Sequence, residues 1–137
     1  FFLGRRDDGR IDERVMKDIL YKNNILAYSG EGWGHDPSRA AGIKGWDNNN
    51  NTENFIVEDN VFLLNKTDAW HIGTDNIEWF PTFRNNTYIQ AKGTGYARFG
   101  RPVNGKYIST RFMFDSRVLR GFEIVGETGA KVISVNP

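Results

Sequence analysis

The chain has 137 residues, of which 39% are hydrophobic and 26% charged, so it is long and apolar enough to form one packed domain or a piece of a larger one. Its net charge of +1 gives no electrostatic basis for binding nucleic acid or an anionic membrane, and no apolar run reaches the ~20 residues that a membrane span needs. The absence of cysteine excludes disulfides and thiolate metal sites.

The chain begins with FFLG rather than with Met, and no charged region followed by an apolar stretch marks a signal peptide. We expect from this start that the chain is an internal or processed piece of a longer protein. A trimmed tag or a mature N-terminus is the alternative.

Three apolar-rich segments carry a pair of polar residues near their end. They read DILYKNNIL, NFIVEDNVF and FPTFRNNTY, and their second polar residues, Asn24, Asn60 and Asn86, are 36 and 26 residues apart. A second short segment follows each of them, at residues 40–46, 69–74 and 95–100. Two short strands per repeat, with linkers rich in Gly, Asn and Asp, predict a stacked β-solenoid.

The alignment of these copies predicts which side chains face inward. One apolar inner row is Tyr21, Val57 and Phe83, and a second is Leu3, Ile43, Ile72 and Phe99. In this alignment FFLG is a fourth copy without its first strand, and the first copy carries an insertion of roughly seven residues within residues 29–39.

Stacking would explain the asparagines, because equivalent residues of successive coils lie ~4.8 Å apart and their amides can form a hydrogen-bonded ladder. Asn also tolerates the left-handed conformation of a tight bend. The row Lys22, Glu58 and Arg84 alternates in sign, so adjacent coils could pair these charges. The alternative is that the Asn pairs are ordinary turn residues of an antiparallel protein.

The segments DILYKNNIL, NFIVEDNVF and FRNNTYIQ resemble the right-handed parallel β-helix of the pectate-lyase-like superfamily. The resemblance covers residues 1–100 and is closest to the C-terminal part of large secreted bacterial proteins of polysaccharide metabolism. It implies an all-β chain with about four coils, fewer than whole members of the family stack. We predict a C-terminal β cap over residues 101–137, with strands at 121–126 and 131–135 forming a hairpin or two edge strands.

One candidate site lies on the outward face of the second strands. The period of two places Phe2, Gly42, His71 and Arg98 in one outward row. There His71 could act as a general base and Arg98 could bind a uronate carboxylate. The alternative is that His71 is a solvated surface residue.

The insertion is the second candidate site. Trp33 could stack on a sugar ring, while Glu31, His35 and Asp36 could supply acid or base groups, as paired carboxylates do in glycosidases. Arg39 and Lys44 are the further candidate substrate-binding residues. The alternative is a glycine-rich loop that only covers an edge of the coils.

The loops give a weak signal for a metal. Asp47, Asp68 and Asp75 lie near an Asn-rich stretch that could hold Ca²⁺, but no spacing matches a defined calcium loop. We therefore predict no cofactor and no metal site.

The resemblance implies part of a secreted or periplasmic carbohydrate-active enzyme, either a glycoside hydrolase or a polysaccharide lyase. The alternative is a non-catalytic β-helix that binds carbohydrate or belongs to an adhesin or tail fibre. The expected partners are a polysaccharide or oligosaccharide, and upstream coils or another chain that cover the N-terminal end. Neither nucleic acid nor a membrane is expected.

Overall fold

The computed structural model describes residues 2–3, 16–30, 41–45, 52–115 and 118–136. In these ranges the chain is mostly β, with one α-helix, α1 (Val118–Val125), and one 3₁₀ turn (Ile77–Trp79). The strands are β1 (Phe2–Leu3), β2 (Met16–Lys22), β3 (Ile25–Ala27), β4 (Ala41–Gly45), β5 (Thr52–Glu58), β6 (Val61–Leu63), β7 (Asp68–Gly73), β8 (Thr82–Arg84), β9 (Thr87–Ala91), β10 (Gly95–Val103), β11 (Lys106–Met113) and β12 (Lys131–Val135).

The strands form three sheets whose pairings are parallel, except for the antiparallel hairpin β10–β11. Sheet A has the order β1-β4-β7-β10-β11, sheet B the order β2-β5-β8, and sheet C the order β12-β9-β6-β3. The chain therefore passes through sheets B, C and A in turn, and does so three times. We call these passages repeats 1 (β2 to β4), 2 (β5 to β7) and 3 (β8 to β10).

Sheets B and C have the register that the sequence predicts. In sheet B, Tyr21 pairs with Val57 and Val57 with Phe83. The inward row of sheet C consists of Leu26, Phe62 and Tyr88. These side chains join a core rich in aromatic rings, in which Trp70 of sheet A stacks on Phe83 with centroids 4.4 Å apart.

In each repeat the bend between sheets B and C is made by a pair of residues with the same conformation. The first residue of each pair adopts positive φ: 59° at Asn23, 53° at Asp59 and 55° at Asn85. In repeats 1 and 2 the second residue of the pair directs its side-chain amide toward the equivalent residue of the next repeat. Asn24 Nδ2 donates to Asn60 Oδ1, and Asn60 Nδ2 donates to Asn86 Oδ1, both at 3.2 Å. The predicted amide ladder (Asn24, Asn60 and Asn86) is therefore present.

A second buried amide pair closes the far end of sheet C, and the sequence analysis missed it. The backbone N–H of Ser29 donates to Asn65 Oδ1 at 3.1 Å, and that of Asn65 donates to Gln90 Oε1 at 2.7 Å. The residues at this bend are Ser, Asn and Gln, so no single residue type marks the repeat.

The predicted register of sheet A is wrong in repeat 1. Ile72 pairs with Phe99 as expected, but Ile43 pairs with Trp70 instead of Ile72. Gly42 is therefore not in the row of His71. It is buried, and a Cβ there would lie 2.8 Å from the carbonyl oxygen of Ala69. Gly42 thus allows a close approach of β4 to the core that a side chain would prevent.

The predicted strand at 131–135 is confirmed as β12, an edge strand, but the predicted strand at 121–126 and its pairing in a hairpin are wrong. Residues 121–125 belong to α1, and β12 adds to sheet C parallel to β9. Helix α1 packs on the core through the buried Phe122 and Val125, and Gly126 ends it at φ 74°. Gly121 lets the helix approach the sheet, because a Cβ there would lie 2.9 Å from the Tyr96 ring and 3.0 Å from the Phe112 ring.

Candidate functional site

The outer face of sheet A carries a row of basic side chains, one from each of four neighbouring strands. Lys44 pairs with His71, His71 with Arg98, and Arg98 with Arg111. We call Lys44, His71, Arg98 and Arg111 the cationic row. In β4, β7 and β10 the residue before the member of the row is inward and buried, in β11 the following residue, Phe112, is, and all four members of the row are partly exposed. The alternation of the strands thus places these four groups on one surface.

Asp68 organises the two arginines of the row. It begins β7 and is only 2% exposed. Its Oδ1 accepts a hydrogen bond from Arg111 Nε at 2.7 Å, and its Oδ2 lies 3.5 Å from Arg98 Nε. Arg111 also donates from Nη2 to the Thr67 carbonyl oxygen at 2.7 Å. One buried carboxylate therefore fixes two guanidinium groups that remain about a third exposed.

Glycine is needed where this carboxylate packs. A Cβ at Gly95 would lie 1.7 Å from Asp68 Oδ1, so any side chain there would displace the carboxylate. Beside the cationic row, Gly73 pairs with Gly100 in the next outward row. A Cβ at Gly100 would lie 2.3 Å from the hydroxyl of Tyr107, whose side chain lies over it and is 54% exposed. The outer face of sheet A thus combines the cationic row with two glycines, which carry no side chain, and an aromatic ring.

Three of the predicted site residues come together on this face. His71 and Arg98 are neighbours, as the sequence predicts, and Lys44 occupies the place in the row that was assigned to Gly42. The other candidates, Glu31, Trp33, His35, Asp36 and Arg39, lie outside the described residues. Their segment leads into β4, the strand that carries Lys44.

Arg111 and the role of Asp68 are absent from the sequence-based predictions. Arg111 reaches the row only because β10 and β11 form an antiparallel hairpin. Its turn contains Asn104 at φ 50° and Gly105 at φ 77°. An Asn-Gly pair between two strands is a strong hairpin signal, and it could have placed Arg111 opposite Arg98. No local pattern marks Asp68, because its partners are distant in sequence.

Of the three aspartates considered as Ca²⁺ ligands, the structure describes Asp68 and Asp75. Asp68 is held by two arginines, and Asp47 lies outside the described residues. In the parts of the chain that the structure describes, no group of three or more His, Asp or Glu side chains could hold a metal ion. Nor does that part contain a helix long and apolar enough to cross a membrane.

The arrangement suits the binding of anions. Two arginines of the row share the one carboxylate of Asp68, and guanidinium groups bind carboxylate or sulfate through paired N–H donors. The strands are spaced ~4.8 Å apart, so the row presents charges at regular intervals across the sheet. Such a surface favours an extended ligand with repeated negative groups.

A comparison of the chain with protein-family models found no match, and neither the curated proteins nor the solved structures gave one.

Proposed function

We propose that the chain is the C-terminal part of a right-handed parallel β-helix protein that binds an acidic polysaccharide outside the cytoplasm. The larger protein would be a glycoside hydrolase or a polysaccharide lyase, secreted or periplasmic. The cationic row on sheet A is the observation that carries this proposal. The resemblance of the strand-Asn-Asn segments to the pectate-lyase-like superfamily supports it.

The order of the strands supports a β-helix. Each repeat contributes one strand to each sheet, and the amide ladder stacks the same bend three times. Parallel strands of one sheet joined by a crossover are almost always connected with a right-handed sense. Each repeat would then be one right-handed coil, and β1 would belong to the coil before repeat 1.

The charges on sheet A support a polysaccharide with repeated acidic groups. The cationic row places one basic side chain on each of four adjacent strands, and Asp68 fixes the orientation of two of them. The exposed ring of Tyr107 beside Gly100 offers a flat apolar surface for the C–H face of a sugar. A chain of uronate or sulfated sugars laid across the strands would meet both features.

Catalytic roles follow from the same face. His71, between Lys44 and Arg98, would act as the general base near a bound carboxylate. Glu31, His35 and Asp36 remain proposed acid or base groups. Trp33 and Arg39 remain proposed sugar-binding residues of the segment that leads into β4.

A non-catalytic carbohydrate-binding β-helix is the second candidate. It is favoured by the position of Asp68, which is buried and has both carboxylate oxygens engaged by arginine side chains of the protein itself. In this case the face would bind the polysaccharide without cleaving it. In either case we propose that upstream coils of the same protein, or another chain, cover β2 and β3, the end strands of sheets B and C.

Affinity electrophoresis of the full chain tests the binding proposal. Gels would contain a polyuronate, a sulfated glycan or a neutral glucan. We expect retardation by an acidic polymer only, weakened by added salt. Arg98→Ala should lower the affinity about tenfold, because one charge-assisted contact is lost. Arg84→Ala on sheet B is the matched control and should bind as the wild type does. Equal effects of the two variants would contradict the assignment of the face.

Product analysis separates the two candidates. The full chain and a longer protein containing it would be incubated with the polymer that binds. New reducing ends without unsaturated sugars would identify a hydrolase, and unsaturated ends a lyase. Binding without either product in both proteins would favour the non-catalytic candidate.

A further inference from the structure

Glu127 is a buried carboxylate at the point where α1 meets the sheets. Gly126 ends the helix, and the backbone N–H of Glu127 then donates to the Phe122 carbonyl oxygen at 2.9 Å. The residue is only 7% exposed. Glu127 is therefore bound to the helix end through its backbone and buried in the core.

The carboxylate ends the amide ladder. Its Oε1 accepts a hydrogen bond from the Tyr88 hydroxyl at 2.6 Å and lies 3.4 Å from Asn86 Nδ2. Its Oε2 accepts one from the Tyr96 hydroxyl. The next ladder position along the chain is Ala130, since the N–H of Lys131 donates to Asn86 O as that of Thr87 does to Asn60 O. Glu127 thus supplies the acceptor that an Asn would provide in a further repeat.

Helix α1 also rests on the strands that carry half of the cationic row. Its Phe122 ring lies 4.6 Å from that of Tyr96 in β10, and Gly121 packs against Phe112 in β11. Arg101 of β10 donates to the Ile124 carbonyl oxygen of the helix. Loss of the helix contact would remove this support from one side of β10 and β11, while the pairing of β10 with β7 would remain.

The groups that face the carboxylate are Tyr88 from β9, Tyr96 from β10 and the amide of Asn86. Helix α1 contributes the apolar Phe122 and Val125. Charged side chains nearby are engaged or directed elsewhere. Arg84, which forms a β-bridge with Thr128, is ion-paired with Glu58. Arg101 donates to the carbonyl oxygen of Ile124 in the helix. Arg120 and Glu123 are exposed.

Burial raises the pKa of Glu127 from 4.5 to about 7, although the hydrogen bonds from Tyr88, Tyr96 and Asn86 act to lower it. Burial also holds the pKa of both tyrosines well above 10, so they remain neutral, and a neutral hydroxyl can either donate to the carboxylate or accept from the protonated carboxyl. The folded state therefore binds the Glu127 proton more tightly than the unfolded state. The stability that it confers is complete below about pH 4.5 and is lost as the pH rises through about 7.

We propose that Glu127 is a pH-sensitive latch, which holds α1 against sheet A when protonated and loosens the helix together with the β10–β11 hairpin when ionised. The latch would hold Arg98 and Arg111 most rigidly in an acidic medium. It would also make the C-terminal end of the ladder the first part of the protein to open as the medium becomes alkaline.

Hydrogen exchange of the full chain tests the latch. Amide protection would be measured at about pH 5.5 and about pH 8 and corrected for the intrinsic pH dependence of exchange. We expect the protection of α1 and β11 to fall ~20-fold between these values, from linkage between local opening and ionisation. The protection of β5 and β6 should change little. A uniform fall in all strands, or no fall in α1, would overturn the proposal.

Two variants complete the test. Glu127→Gln keeps the size of the side chain but cannot ionise, so the ratio of protection between the two pH values should approach one in α1. Glu123→Gln, on the exposed side of the same helix, should keep the ratio of the wild type. A wild-type ratio in Glu127→Gln would overturn the latch. If that variant does not fold, the wild-type pattern across α1, β11, β5 and β6 decides.

Discussion

Two outward rows of the molecule share one geometry and differ in charge. On sheet B, Lys22, Glu58 and Arg84 alternate in sign, with Lys22 Nζ 3.4 Å from Glu58 Oε2 and Arg84 Nε 2.9 Å from Glu58 Oε1. We call them the paired row. On sheet A, the cationic row carries basic side chains on four adjacent strands. In the paired row one carboxylate lies between two cations of neighbouring strands, whereas in the cationic row the two arginines share the single buried carboxylate of Asp68.

The difference has an energetic meaning. Like charges directly opposite each other on adjacent strands destabilise a sheet, and opposite charges contribute at most ~1 kcal/mol when exposed. A fold selected for stability alone would alternate the signs on both sheets. On sheet A, compensation comes from Asp68, which contacts two of the row and leaves their outer surfaces about a third exposed. This arrangement is typical of a surface that binds something.

The largest expected effect comes from breaking the amide ladder, because both rows depend on its register. Asn60→Ala would remove the acceptor of the backbone and side-chain N–H groups of Asn24, the side-chain donor to the Tyr21 carbonyl, and one of the two hydrogen bonds that Asn86 Oδ1 accepts from Asn60. We expect the free energy of unfolding to fall by about 3 kcal/mol, because several buried polar groups lose partners. Urea unfolding measures this loss.

Asn85→Gly is the control for the ladder. Asn85 is exposed and adopts φ 55°, a conformation that glycine adopts without strain. Its replacement should change the stability by less than about 0.5 kcal/mol. A similar loss in both variants would mean that the bend, rather than the amide ladder, sets the register.

The same asparagines explain why the register of sheet B could be predicted from the sequence. The Asn pairs mark one bend in each repeat, so the strands on either side, with the inward Tyr21, Val57 and Phe83, could be aligned. Sheet A follows a connection whose length differs between repeats. There the apolar match of Ile43 with Ile72 was misleading, because Ile43 pairs with Trp70.

The helix could not be predicted from its own residues alone. Glycines at 121 and 126 were interpreted as the bounds of a strand, although VLRGFEIV also has apolar residues at helical spacing. What decides the helix is tertiary packing, since Gly121 lies against Tyr96 and Phe112. Likewise, Asp68 and Arg111 are 43 residues apart, and only the fold brings them together.

A substitution of Gly95 would disturb the cationic row without changing any of its charges. In Gly95→Ala the new Cβ would overlap Asp68 Oδ1 and push the carboxylate away from Arg111. We expect a loss of about 2 kcal/mol in the free energy of unfolding, as for other overpacked sites. The variant should also bind an acidic polysaccharide more weakly than the wild type, because Arg98 and Arg111 would no longer be held in place.

Thermal unfolding and affinity electrophoresis on the same preparation check this expectation. Asp68→Asn keeps the shape of the side chain but removes its charge, and it separates the steric effect from the electrostatic one. If Gly95→Ala unfolds and binds as the wild type does, Asp68 does not organise the row.

The smallest expected effect lies on the paired row. Desolvation raises the pKa of Glu58, but its hydrogen bonds and ion pairs with Arg84 and Lys22 outweigh this and hold the pKa below 4.5. Its ion pairs therefore stabilise the fold above that pH and are lost as the pH falls through the lowered pKa. Glu58→Gln should lower the midpoint of thermal unfolding slightly at neutral pH and leave it unchanged in strong acid. Glu53→Gln, whose partner Lys17 lies 3.5 Å away, should change it even less. Neither change should affect polysaccharide binding, and a weaker affinity in Glu58→Gln would mean that the ligand also reaches sheet B.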